Sequence, residues 1–97
     1  MAFIQIMEFR TSRSAEIQAA AEEWEKATAG RRTVQRRVLC QDREDPTHYF
    51  NLVFFDSYEA AMKNSALPET DALSKKFMGL ADGVPAFHNL DVVDDRE

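Results

Sequence analysis

Residues 47–55 read THYFNLVFF, and the fold is decided by how this run is placed. It is short, rich in aromatic and β-branched side chains, and preceded by a turn-forming cluster, so it is expected to be a strand. Alternation sends Phe50, Leu52 and Phe54 to one side and Tyr49, Asn51, Val53 and Phe55 to the other. A sheet with one wet face alternates apolar and polar residues, and this strand does not. Both of its faces are therefore expected to be buried.

The neighbouring segments extend the pattern in both directions. Upstream, Asp42-Arg43-Glu44-Asp45-Pro46 is a polar hairpin connection, and residues 33–41 (TVQRRVLCQ) form the strand before it. Downstream, Asp56 and Glu59 match a capping box that opens a short helix through Ala60, Ala61 and Met62. That helix breaks near Leu67, because the residue before a proline disfavours helix. Pro68 suits the first turn of another helix, which carries Leu73, Phe77, Leu80 and Ala81 and stops at Asp82-Gly83. Residues 84–93 (VPAFHNLDVV) are the last strand and residues 2–9 (AFIQIMEF) the first. Between the first two strands, Ser14 reads as an N-cap with Glu16 in the first turn. Ile17, Ala20, Ala21, Trp24 and Ala27 then recur at helical spacing until Gly30.

The order is β-α-β-β-α-β. Right-handed crossovers make this a ferredoxin-like α+β unit with an antiparallel sheet in the order 4-1-3-2. Pro85 fits an edge position for the last strand. The expectation is one domain over residues 1–93, followed by a charged tail, residues 94–97.

In such a unit all helices lie on one side of the sheet, yet the first and third strands are apolar on both. A second copy packing sheet on sheet satisfies the bare side, giving a homodimer and a dimeric α/β barrel. A monomer with a wetted aromatic face is the alternative. Ile4, Ile6, Phe50, Leu52, Phe54, Leu90 and Val92 are uniformly apolar and read as the helix-packed face. The other parity mixes apolar residues with amides: Phe3, Gln5, Met7, Tyr49, Asn51, Val53, Phe87, Asn89 and Asp91. Binding sites are mostly apolar with a few polar groups. This second set is thus the candidate lining of a cavity, either between sheet and helices or between subunits. Hydrogen bonding among Gln5, Asn51 and Asn89 is the plainer alternative. The second strand is ambiguous: Val34, Val38 and Cys40 read as inward-facing, and Gln35, Arg37 and Leu39 as candidates for the barrel side.

Composition narrows the function further. The chain has 97 residues, 44% apolar and 30% charged, with a net charge of −5. A chain this short buries roughly 65% of its unfolded surface, so its core is thin unless a partner extends it. The acidic balance disfavours nucleic-acid binding. No apolar run suits a membrane helix, and no signal peptide is expected. Cys40 is the single cysteine, which fits a reducing, cytoplasmic setting. His48 follows the hairpin loop and is expected at the surface. His88 shares the parity of the helix-facing set, and either histidine has the titration range of a proton carrier. Their spacing forms no metal-binding pattern, and the three isolated glycines form no phosphate loop. No metal and no cofactor is therefore expected. Arg31, Arg32, Arg36 and Arg37 form a basic run that attracts an anionic ligand or is simply solvated. Trp24 reads as core.

Three stretches carry a family resemblance: Phe3-Ile4-Gln5, Phe54-Phe55-Asp56-Ser57-Tyr58-Glu59-Ala60-Ala61, and Phe87-His88-Asn89-Leu90-Asp91-Val92. They resemble the dimeric α/β-barrel superfamily, and within it the antibiotic-biosynthesis-monooxygenase-like proteins. The resemblance implies a phenolic or quinol substrate held in the barrel, where the substrate itself supplies electrons to oxygen. It also implies that Asn and Tyr side chains position the substrate, roles that fall on Asn51 and Tyr49. The haem-degrading relatives use a histidine after the third strand, and residues 65–83 contain none. The expectation is a binder of a small apolar or aromatic metabolite, acting as a cofactor-independent monooxygenase. The candidate catalytic residues are Asn51, Tyr49 and His88; Phe3, Gln5, Met7, Val53, Phe87, Asn89 and Asp91 are the candidate substrate contacts. Two other classes stand beside it: a non-catalytic ligand-binding or sensing module, and a proton-transfer isomerase or cyclase using His88 or Asp91.

Overall fold

The structure, a computed structural model, describes residues 2–97. Strand β1 (Phe3–Arg10) leads to helix α1 (Ser14–Ala27), and β2 (Arg36–Gln41) and β3 (His48–Phe55) form a hairpin. Helices α2 (Tyr58–Ser65) and α3 (Pro68–Leu80) precede β4 (Ala86–Asp91). The strands lie in the order β2-β3-β1-β4, every neighbouring pair antiparallel. This is the expected ferredoxin-like arrangement, with β1 and β3 central. Pro85 sits just before the edge strand β4, where a missing N–H breaks no ladder. Among the described residues no helix is long and apolar enough to cross a membrane.

The assignment of the two faces is the reverse of the expected one. The helices pack on Phe3, Met7, Phe9, Tyr49 and Phe55. One core cluster joins Met7, Phe9 and Tyr49 to Ile17, Ala20, Ala21 and Phe77. A second joins Phe3 and Phe55 to Ala61. Ile4, Ile6, Phe50, Leu52 and Phe54 lie on the uncovered face and are only half-buried, and Leu90 beside them is 45% exposed. The reason is volume. Ala20 and Ala21 of α1 and Ala61 of α2 are buried against the sheet, and such shallow positions need large partners opposite to reach native packing density. Phe3, Phe9, Tyr49 and Phe55 supply that bulk. Uniform apolarity alone does not mark the face that helices cover.

Local signals place the helix ends to within a residue. Arg13, not Ser14, occupies the N-cap of α1, and it makes no side-chain cap. Thr11 supports this junction instead: its Oγ1 accepts from the Arg13 N–H at 2.9 Å and donates to the Leu80 carbonyl at 2.7 Å. At α2 the cap is Ser57, whose Oγ accepts from the Ala60 N–H at 3.1 Å. Asp56 accepts from Gln35 Nε2 at 2.8 Å, so the expected Asp56–Glu59 box is replaced by a serine cap one residue on. Leu67-Pro68 separates α2 from α3 as expected, with Pro68 in the first turn. Gly30 follows α1 at φ 80°, a conformation that favours glycine.

Candidate functional site

A cavity of about 320 Å³ lies between the helix-covered face of the sheet and the three helices. Its floor comes from alternate positions of all four strands. In register, Met7 stands opposite Asn51 on β3 and Phe87 on β4, while Gln5 stands opposite Val53 and Asn89. Arg37 adds the contribution of β2. The roof is Trp24 from α1, Asn64 from α2, and Thr70, Leu73 and Phe77 from α3. These positions share one cavity because strand alternation and the helical stripe both point them at the same space.

The polar groups at the wall are differently satisfied. Gln5 Nε2 donates to Asn89 Oδ1 at 3.2 Å. Arg37 Nη1 donates to Asn51 Oδ1 at 3.1 Å, and Asn51 is 8% exposed. Trp24 Nε1 donates to Thr70 Oγ1 at 2.9 Å, and the Arg32 guanidinium lies 5.6 Å from the indole centroid. Asn64 is 6% exposed, and its Oδ1 is shielded from solvent with no hydrogen-bond partner. A buried acceptor left unpaired is costly, so a wall carrying one is incomplete without a donor from elsewhere.

The sequence-derived candidates divide into two groups. Gln5, Met7, Asn51, Val53, Phe87 and Asn89 all line the cavity. Phe3 does not; it is buried against Phe55 and Ala61, with Tyr58 edge-on at 5.5 Å. Tyr49 lies in the core, stacked on Phe9 at 5.7 Å, with its hydroxyl accepting from Gln41 Nε2 at 3.0 Å. Asp91 is exposed at the end of the edge strand. His88 reaches the cavity's rim, but its Nε2 is 3.6 Å from Glu8 Oε1 on the uncovered face. Among the lining residues that the candidate set omits are Arg37, Trp24 and Asn64. Asn64 had a signal: it stands three positions after Ala61, on the buried stripe of α2, where an amide is out of character.

A second polar cluster occupies the uncovered face. His48, expected at the surface, has a side chain only 13% exposed, with Nε2 2.8 Å from Glu8 Oε2 and Nδ1 3.4 Å from Asp42 Oδ2. The hydrogen bond with His48 holds the Glu8 carboxyl below its usual range, against partial desolvation and with help from His88. Backbone N–H groups, first that of Glu44, do the same for Asp42. Among the described residues no group of three or more His, Cys, Asp or Glu side chains is placed to hold a metal ion.

No protein-family model matches the chain, and no curated protein matches it in sequence. Solved structures do match it. The SnoaB structure, a cofactor-independent oxygenase from Streptomyces nogalater, superposes with a TM-score of 0.81 at 13% identity, over 97% of this chain and 95% of that one. Rv0793 from Mycobacterium tuberculosis gives 0.80 at 15% identity, over the full length of both chains. A structure of an antibiotic biosynthesis monooxygenase gives 0.74 at 15% identity, over 97% of this chain and 100% of that one. At these identities the likeness is one of fold: the chain has the ferredoxin-like architecture of the antibiotic-biosynthesis-monooxygenase structures.

Proposed function

We propose that the cavity binds a small, largely apolar aromatic metabolite and that the protein oxygenates it without a resident cofactor. The observation that carries the binding half is the unpaired Asn64 Oδ1 in a wall that also holds the apolar side chains Met7, Val53, Leu73, Phe77 and Phe87. A phenolic O–H supplies the missing donor while the aromatic body fills the space between sheet and helices. The oxygenase half is supported by fold analogy with the SnoaB structure. In that chemistry an electron-rich quinol or anthrone gives its own electrons to oxygen. The residues at the wall have three tasks: to orient the ring, to hold the hydroxyl proton at Asn64, and to keep water away from the intermediate.

The chain is further proposed to act as a homodimer through the uncovered sheet face, where Ile4, Ile6, Leu52, Phe54 and Leu90 await cover. A cytoplasmic setting suits its one free thiol, Cys40. A second reading, a non-catalytic binding module, is favoured by one observation: Tyr49 lies in the core and the His88 imidazole is turned to Glu8, so neither presents a reactive group to the cavity. The same placement, with Asp91 at the exposed strand end, weighs against a proton-transfer isomerase that uses His88 or Asp91.

Oxygen uptake with a panel of anthrones and quinols separates these readings. The oxygenase reading expects turnover that Asn64→Ala lowers by about 10²-fold in kcat/KM, the scale of losing one oriented hydrogen bond at a reacting oxygen. Saturable binding with no oxygen uptake moves the protein to the binding-module class. Full activity in Asn64→Ala and Asn51→Ala removes the site.

A further inference from the structure

Arg37 is the one arginine or lysine lining the cavity. Four other arginines have carboxylate partners, Arg10 with Asp45, Arg13 with Glu16, Arg31 with Glu69 and Arg96 with Asp94, while Arg32, Arg36 and Arg43 have none among the described residues and lie outside the cavity. Among the described residues no carboxylate pairs with Arg37. Its Nη1 is given to Asn51, a neutral acceptor, and its Nε is shielded from solvent with no acceptor at all. The other acid at the cavity, Asp71, is already paired with Lys75 at 3.0 Å.

A half-buried guanidinium without a counter-charge is costly, and the cost falls when an anion arrives. The geometry also says which anion. With Nη1 committed to Asn51 and Nε shielded, Nη2 is the donor left without a partner. One anionic oxygen, of a carboxylate or a phenolate, answers it with a charge-assisted hydrogen bond. We infer that the metabolite bound here carries an anionic oxygen group, a carboxylate or an ionised phenol, and that Arg37 is the residue that selects it. This inference rests on the cavity being the binding site. It adds that the ligand is an aromatic anion rather than a neutral hydrocarbon, with apolar body against Met7 and Phe77 and acidic end toward β2.

The test compares 1-naphthoate with its neutral counterpart 1-naphthamide, by calorimetry and by nitrogen-resolved NMR of the intact protein. Trp24 is the only tryptophan and borders both this cavity and a second cleft beside Ala20 and Ala72, so its indole N–H reports occupancy of this cavity when the Phe87 and Asn89 amides move with it. Wild type is expected to prefer the carboxylate by about ten-fold, equivalent to about 1.4 kcal/mol. Arg37→Met is expected to reduce that preference to about two-fold or less, and Arg37→Lys to restore part of it. In wild type, the Arg37 Nε–H resonance should move with naphthoate and stay with naphthamide, a readout that needs no variant to fold. 1-Naphthol titrated across its ionisation then tells a phenolate-selective site from a carboxylate-selective one. Equal binding of both naphthalene probes to wild type, a still Nε–H resonance, or a preference that survives in Arg37→Met overturns the anion. Failure of both probes to move the Trp24 signal at millimolar concentration overturns the cavity as a binding site and this inference with it.

Discussion

Glu8 serves two imidazoles, with His48 2.8 Å from one oxygen and His88 3.6 Å from the other. Its carboxyl is held below the ordinary value of 4.5, so the folded state binds its proton less readily than the unfolded chain. The sign follows from linkage. The stabilisation is present above the unfolded value and is lost as pH falls through the lowered folded one. Glu8→Gln should therefore melt below wild type at neutral pH, and the difference should close as the pH drops below 4.5. Thermal melts across that window check it, and a gap that stays constant would assign the loss to packing. At this scale the sequence was legible where an amide interrupts an apolar strand, as at Gln5, Asn51 and Asn89. It was not legible where a residue's task depends on which face it joins. His88 and Tyr49 carry plausible chemistry, yet their surroundings are set by neighbours far along the chain.

The elements themselves were read from local physics, because strand alternation and helix stops act over a few residues. The Leu67-Pro68 break and the edge position of Pro85 follow from proline's geometry alone. Caps were read one residue off, since serine and aspartate both suit the start of α2 and only the chain path selects between them. Ser57 makes that cap, so Ser57→Ala should cost about 1 kcal/mol, measured by denaturant melts. Asp56→Ala should cost less, because its contact with Gln35 is exposed. The face assignment failed for a reason that no single strand contains. It depends on how closely the helices approach where they present Ala20, Ala21 and Ala61, and that is a relation between elements.

For the molecule as a whole, the uncovered sheet face carries the proposed homodimer. Ile4, Ile6, Leu52 and Phe54 are half-buried within the subunit, and burying the remainder against a second copy gains roughly 25 cal/mol per Å². Leu52, central on β3 and opposite Ile6 and Val38, is the position where a charge is least tolerable in such an interface. Leu52→Glu should shift the protein from dimer to monomer at micromolar concentration in sedimentation velocity while retaining its far-ultraviolet dichroism. A wild-type chain that sediments as a single subunit removes the dimer. Sheet order carries one more consequence. The strand that leaves the ribosome first, β1, occupies the middle, and on one side it must wait for β4; Gln5 and its partner Asn89 are 84 positions apart. Until the last strand is synthesised, that flank of β1 exposes a row of unpaired amides and carbonyls, a template for stray strands of other nascent chains. A nascent chain that stalls before residue 86 thus carries an open adhesive edge, and its yield should depend on chaperone supply more steeply than that of the finished protein.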